Sequence, residues 1–480
     1  MSELEIRGRE NGTVVLPGRT VEAFEGNLSG RLVHRSDDDY DEQRAVWNGM
    51  IDKKPALIVR CVNADDVVAS VKLARENELL LAVRGGGHNV AGTAVCDGGL
   101  VIDLSLMDEV AVDPETRTAR AQGGAIIADL DAASQAYGLA TPMGVVSDTG
   151  VAGLTLGGGI GWLRRKYGLS CDNLISADIV TADGRILKAS ETENPDLLWG
   201  IRGGGGNFGI VTSFEYQLHP IGPDVMFVFV LYHGSRRREA MRAYRDYCAT
   251  APDEVSSWAI SGTVPATEDF PEEIHGERYL NIGACYAGSV EEGQRVMEPL
   301  RELEEPMVDF SAPMPYVDVQ MFLDEDYPDG FHYYWKSLYL ESLDDEVIDS
   351  VVTWAERRPS LLSTVDVWHM GGAISRYGAE DSAVGNREAP YLLGIEANWE
   401  RSEDDDANVA WARQCFADLR EFSDGSQYLN FPGFYEGEDE AMRTTFGNQY
   451  ERLVALKTKY DPTNLFHLNQ NIKPDEKLNR

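Results

Sequence analysis

Three glycine-rich stretches and one histidine are where this sequence could do chemistry. The first stretch is Arg84-Gly85-Gly86-Gly87-His88-Asn89, with Gly92 close behind. The second is Gly150-Val-Ala-Gly153-Leu-Thr-Leu-Gly157-Gly158-Gly-Ile-Gly161, and the third is Arg202-Gly-Gly-Gly-Gly-Asn-Phe-Gly209. Successive glycines leave backbone N–H groups unscreened and let φ turn positive, which builds concave nests for phosphate oxygens. Gly204, Gly206 and Gly209 formally spell G-x-G-x-x-G, yet Ile-Val-Thr-Ser-Phe-Glu-Tyr follows, which reads as a strand. A nicotinamide-binding fingerprint needs a helix at that point. No cluster ends in Gly-Lys-Ser/Thr, so a nucleoside triphosphate loop is not indicated either. Any single cluster is equally a set of tight turns; three together, with His88 at a strand end, favour a large dinucleotide.

These loops need elements to hold them. From Pro55 the pattern alternates strand and helix. Ala56–Arg60 and Leu79–Arg84 read as strands, separated by a helix from Ala64 with Val67, Val68, Val71, Leu73 and Ala74 at helical spacing. Leu100–Leu104, Val110–Val112 and the stretch from Thr118 are further strands, and Ile126–Tyr137 is a helix ending at Gly138. Beyond about Pro220 the glycine clusters thin out. In Tyr391–Trp399 the odd positions are apolar, while Gly394, Glu396 and Asn398 share the other face. Met226–Leu231, Tyr279–Tyr286 and Thr364–Met370 are similar candidates, with acidic helices at Glu291–Leu303, Asp345–Glu356 and Asp404–Phe422 between them. Such a pattern predicts an antiparallel sheet covered by helices on one face. Met442–Tyr460 reads as helical again.

Composition narrows the function classes. The 480 residues carry a net charge of −37, with acids dispersed along the chain and lysine scarce. A field of that sign repels phosphate backbones, so no nucleic-acid partner is expected. Dispersed acid with little lysine suggests a surface suited to concentrated salt, hence a halophilic host. The six cysteines form no C-x-x-C pair, so neither a metal site nor a disulfide framework is expected. The chain begins without a basic and then apolar leader, and its longest apolar run, near Val225–Tyr232, is far below the ~20 residues of a spanning helix. The expectation is a cytoplasmic protein with no membrane partner.

The motif order then becomes recognisable. Arg84 through Thr93, Gly153 through Leu169 with Asp172-Asn173, Ala182-Asp-Gly184, Asn194 through Trp199, Arg202–Gly209, Gly371 through Arg376, Tyr428-Leu-Asn430 and Asp461 through Asn471 together resemble the FAD-linked oxidases of the berberine bridge enzyme-like group. The resemblance implies an α+β chain: a two-subdomain FAD-binding domain of the vanillyl-alcohol-oxidase (PCMH) type over 51–222, after an N-terminal segment 1–50. A substrate domain follows over 223–427, and 428–480 returns to the FAD domain. It implies FAD bonded covalently through His88. Val146 stands where doubly tethered members carry a cysteine, and Cys171 lies too far downstream, so a single link is expected. Arg84, Gly85, Gly86, Gly87, Asn89 and Gly92 are expected at the diphosphate and flavin edge, with Gly144, Gly150, Gly153, Gly157 and Gly158 on the other side. Gly209, Ile210 and Val211 would flank the adenosine part, and Asn469 and Asn471 would reach the flavin region. Tyr428, with Asn430, is the implied base, its proton shifted down or shared with a neighbour such as Glu396 or His369. Thr149 falls where a bulky side chain distinguishes dehydrogenases from oxidases, and its size matches the oxygen-permissive version. The implied activity is therefore oxidation of an alcohol or comparable C–H donor, with hydride passing to flavin N5, molecular oxygen as acceptor and hydrogen peroxide as product. A dehydrogenase using a quinone or protein acceptor, and a non-catalytic nucleotide-binding protein, are the alternatives.

Overall fold

A computed structural model describes residues 3–10, 12–434 and 438–475. The first βα unit shows how local chemistry sets the frame. Asn63 caps the helix Ala64–Glu76 by accepting from the Asp66 amide at 3.0 Å, and Asp65 and Asp66 sit at its positive end. Its buried face, Val67, Val71 and Ala74, packs with the strand Leu57–Arg60 and buries Val59 and Leu57. That strand runs parallel to Leu100–Asp103, which runs parallel to Leu81–Arg84 on its other side. Leu79 and Leu80, expected in the last strand, pair with the N-terminal segment instead: Leu79 bridges Gly8, and the Leu80 amide donates to Arg7 O at 2.9 Å.

A second, antiparallel sheet runs in the order Ile186–Ser190, Leu174–Val180, Ile210–Gln217, Thr118–Gln122, Val110–Asp113. The segment after Gly209 is a strand, as the β-branched run predicts. The helix expected over 126–137 forms as Ile127–Gln135.

The third sheet has eight strands and is wholly antiparallel. Asp224–His233, Arg278–Tyr286, Thr364–His369 and Tyr391–Trp399 are the four anticipated strands with adjusted ends. Two further strands, Val255–Thr263 and His332–Leu340, were not legible, because every residue of the first is buried and eight of nine in the second. A strand covered on both faces is not obliged to alternate, although Tyr391–Trp399, equally buried, does. One face packs under the helices Arg237–Cys248, Asp345–Glu356 and Asp405–Leu419, through Leu393, Ile395, Val347, Val351, Trp411 and Cys415 among others. The expectation of cover on one face is thus incomplete. The opposite face carries Trp258, Trp368, Leu392 and Tyr339, which pack on Trp162, Leu169 and Tyr428 from the glycine-loop side of the molecule. Among the described residues, no helix is long and apolar enough to cross a membrane, and no group of His, Cys, Asp and Glu could hold a metal.

Candidate active site

Between the two smaller sheets and the large one lies a cavity of about 270 Å³. All three glycine stretches meet in it, which spacing in the chain alone does not show. Gly86 and Gly150 touch backbone to backbone: a Cβ on Gly86 would stand 2.5 Å from Gly150 N and 2.6 Å from its Cα. That approach joins the first two loops into one cradle, and any side chain at Gly86 would part them. Gly87 adopts φ +75°, the left-handed region open to glycine. Arg84 braces this loop from behind, donating to Gln43 O at 2.9 Å.

His88 is held on its face and its edge. Its ring stacks on Trp47 with centroids 4.1 Å apart, and Trp47 stacks in turn on Tyr333 of the large sheet at 3.7 Å. Nε2 lies 3.1 Å from Asp148 Oδ1, so Nδ1 is the ring nitrogen not engaged by that carboxylate. Asn48 completes the staple: its amide donates to Val90 O at 2.7 Å and Tyr333 O at 2.8 Å, and its Oδ1 accepts from the Tyr333 amide at 3.1 Å. The N-terminal segment therefore fastens the histidine loop to the large sheet.

Tyr428 is buried in the same cavity. Its Oη accepts from the Ile160 amide at 3.2 Å and from Asn430 Nδ2 at 2.9 Å. Two donors stabilise negative charge on that oxygen, but burial outweighs them and pushes the phenol up to about 12. The downward shift expected from the sequence is thus not produced by the protein's own groups. His369 does not serve as its neighbour: it lies outside the cavity wall with Nε2 3.0 Å from an Arg165 guanidinium nitrogen. Glu396 does face the cavity, where its Oε2 accepts from the Tyr327 hydroxyl at 2.8 Å.

The far half of the cavity is made by the large sheet. Ile260, Leu323, Trp335, Trp368, Leu392 and Phe431 line it, with two carboxyls, Asp366 and Glu396, among them. Both carboxyls are buried, at 0% and 2% exposure. Burial raises Asp366, and burial together with Asp366 itself holds Glu396 well above the usual carboxylate range.

Of the expected site residues, Gly85, Gly86, Gly87, His88, Asn89, Gly144, Thr149, Gly150, Gly153, Gly157, Gly209, Ile210, Val211, Tyr428, Asn430 and Asn469 line this one cavity. Arg84, Gly92, Gly158 and Asn471 stand behind its wall. Gly92 takes φ +63° with its carbonyl accepting from Lys53 Nζ at 2.6 Å, and Gly158 lies under the Tyr428 ring at φ +114°. Cys171 is buried outside the cavity, while Val146 lines it. Sequence reasoning did not find Trp47, Asp148, Tyr327, Trp335, Asp366 or Trp368. A charged residue inside an otherwise apolar strand was the one available signal, present for both Asp366 and Glu396.

The residues present fit a dinucleotide with an anionic middle. The amides of Gly86, Gly87 and His88 find no acceptor among the described residues, and Asn469 Oδ1 is buried without a partner. None of the lining side chains is Lys or Arg, so amide dipoles would carry the diphosphate. Leu81, Val83, Leu104 and Phe466 supply the apolar wall that a ring system needs.

Comparison with known proteins agrees with this geometry. The profile of the FAD binding domain matches residues 55–190, and that described as "Berberine and berberine like" matches 427–473. An FAD-linked oxidoreductase of Dictyostelium discoideum is 31% identical over 467 residues, spanning 95% of this chain and 97% of that one. Xylooligosaccharide oxidase of Thermothelomyces thermophilus is 26% identical, over 94% of this chain and 93% of its own. The crystal structure of 6-hydroxy-D-nicotine oxidase from Arthrobacter nicotinovorans superimposes with a TM-score of 0.84 at 28% identity, covering 94% of this chain and 99% of that one.

Proposed function

This chain belongs to the berberine bridge enzyme-like FAD-linked oxidoreductases, and from that premise we propose that it is an oxidase of a small-molecule alcohol or comparable C–H donor, with dioxygen as acceptor and hydrogen peroxide as product. The observation that carries this reading is the single cavity shared by the glycine cradle, His88, Tyr428 and the apolar face of the large sheet. FAD, when bound, supplies the two-electron acceptor for a hydride.

The chain's own residues supply the rest. The amides of Gly86, Gly87 and His88 hold the diphosphate, and His88, fixed by Trp47 and Asp148, is the single covalent anchor. Tyr428 handles the substrate's hydroxyl proton. Only its phenolate form can take that proton: two of its lone pairs accept from the Ile160 amide and Asn430, and the third is left for the substrate's O–H. The same two donors steady the phenolate whenever the proton leaves. Ser337 Oγ, accepting from the Tyr428 amide at 2.9 Å, keys this group to the large sheet. Thr149 and Val146 keep the wall near the cradle small, which leaves room for oxygen.

Stopped-flow mixing of the reduced protein with air-saturated buffer tests the proposal. Re-oxidation within seconds, with one peroxide per flavin, is expected. Re-oxidation over minutes, with rapid electron transfer to a quinone, would make the protein a dehydrogenase. Colourless protein at every stage of purification would remove both readings.

A further inference from the structure

Three arginines gather at one end of the large sheet with no acid to answer them. Arg237 starts the helix Arg237–Cys248, Arg358 follows the helix Asp345–Glu356, and Arg278 opens its strand opposite Thr263. Arg278 donates to Glu356 O at 3.0 Å. Arg358 donates to Ser261 O and, at 2.9 Å, to Thr263 Oγ1, but its Nε is buried without a partner. Arg237 is the extreme case. It is 2% exposed, and among the described residues its guanidinium makes no hydrogen bond. Its Nε and Nη1 are closed off from solvent, which leaves Nη2 as the approach. Nη2 lies against Gly234, where a Cβ would stand 2.7 Å from it and 2.7 Å from Arg278 O, so the bare glycine gives the guanidinium its room. The residues on either side of Arg237 are paired: Arg236 with Glu304 at 3.0 Å and Arg238 with Asp349 at 2.9 Å. Among the described residues, none of Arg237, Arg278 and Arg358 forms an ion pair, in a chain with 80 acidic residues to draw on. Burial lowers the Arg237 guanidinium below its ordinary value; the exposed Glu356 opposes this, and Arg278 and Arg238 add to it.

We propose that this cluster binds a halide ion from solution, seated on the Arg237 guanidinium with Arg278 and Arg358 beside it. A buried cation without a partner is costly, and a guanidinium does not escape the cost by losing its proton. Its counter-ion must therefore come from outside the chain. Guanidinium N–H groups only donate, so the ligand accepts, and the summed charge of three arginines selects an anion over water. The near-complete burial of Arg237 leaves no space for a ligand with a body of its own, which favours a single atom over a phosphate ester or a nucleotide. None of the three arginines lines the flavin cavity, so the inference stands apart from the oxidase reading. A bound halide would tie the start of one helix and the end of another to the strand ends beneath, and would stabilise the folded chain by mass action.

The test melts the full chain, as purified, at fixed ionic strength while potassium gluconate is exchanged for potassium chloride or potassium phosphate. Fixed ionic strength removes the general screening that any salt gives a chain of charge −37. Chloride is expected to raise the melting temperature saturably, by about 3 °C at a tenfold excess over half-saturation, and phosphate to raise it less. Arg237→Met keeps the side-chain stem and removes the charge. It should lose the chloride effect and be at least as stable as the wild type in gluconate, because it no longer buries an unanswered cation. A purely structural role for Arg237 would instead lower the melting temperature equally in all three salts, and that result overturns the inference. So does the absence of a chloride effect in the wild type, a larger effect of phosphate, or a chloride effect that survives in the variant. If Arg237→Met does not fold, wild-type crystals soaked in potassium bromide and read by anomalous diffraction decide the matter. A bromide within hydrogen-bond distance of Arg237 supports the site, and bromide found only elsewhere overturns it.

Discussion

Replacing Lys457 by Met should loosen the cavity from a distance. Lys457 and Asp461 are wholly buried, one turn apart, with Nζ and Oδ2 separated by 2.7 Å. Nζ also donates to Asn207 O and Phe466 O, each at 2.9 Å. Asp461 accepts from the Leu465 amide at 2.8 Å and the Phe466 amide at 2.9 Å. Asn207 lies in the third glycine stretch, and its side chain bonds Gln470 O and the Ile472 amide. This knot holds the returning segment, whose Phe466, Leu468, Asn469 and Gln470 line the cavity. Methionine matches the lysine stem but leaves Asp461 charged, buried and without its cation, a loss of about 3–5 kcal/mol. Because Asp461 keeps two amide donors, the lower end of that range, about 3 kcal/mol, is expected. For a cooperative unit of 150–250 residues this is roughly 6–12 °C in melting temperature. Thermal melts followed by flavin fluorescence, with the flavin released at each temperature measured alongside, read both consequences. Lys457→Met/Asp461→Asn removes the uncompensated charge and should recover at least about 1 kcal/mol of the loss. A single variant within about 0.5 kcal/mol of wild type, or a double variant no better than the single, would refute the reasoning.

Four further outcomes are expected. His88→Ala should abolish acid-stable yellow colour on a denaturing gel while a dissociable flavin can remain, and Trp47→Ala should lower the covalent fraction because the imidazole loses its stacking partner; mass spectrometry of the intact chain reads both. Asp131, buried with Gln320 Nε2 at 3.0 Å, is pushed up to about 7 by burial. Its folded value exceeds the unfolded one, so its contribution to stability is full below about pH 4 and lost as pH rises through 7; Asp131→Asn should then gain up to about 4 kcal/mol over wild type at pH 8 and almost nothing at pH 4 in denaturant titrations. If the charge of −37 reflects adaptation to salt, the melting temperature should climb steadily between 0.1 and 2 M KCl by calorimetry.

Much of the cofactor side was readable along the chain, because its requirements are local. A nest of free amides needs consecutive glycines, a capped helix needs Asn63, and a strand after Gly209 needs β-branched residues; each leaves its mark within a few positions. Four of the expected site residues nonetheless stand behind the wall; for Gly92 and Gly158 the reason is that a glycine that permits a turn looks the same as one that touches a ligand. The substrate side was nearly silent. Alternation in Tyr391–Trp399 announced two faces but not that the second would close over a cavity, so Glu396 was offered only as a neighbour for Tyr428 on the family resemblance and Asp366 had no visible partner. Their meeting depends on which strands are neighbours and in which register, and that is settled by burial summed over the whole sheet. Trp47 reaches His88 for the same reason: contacts between distant segments follow from how layers stack, which no short window of residues encodes.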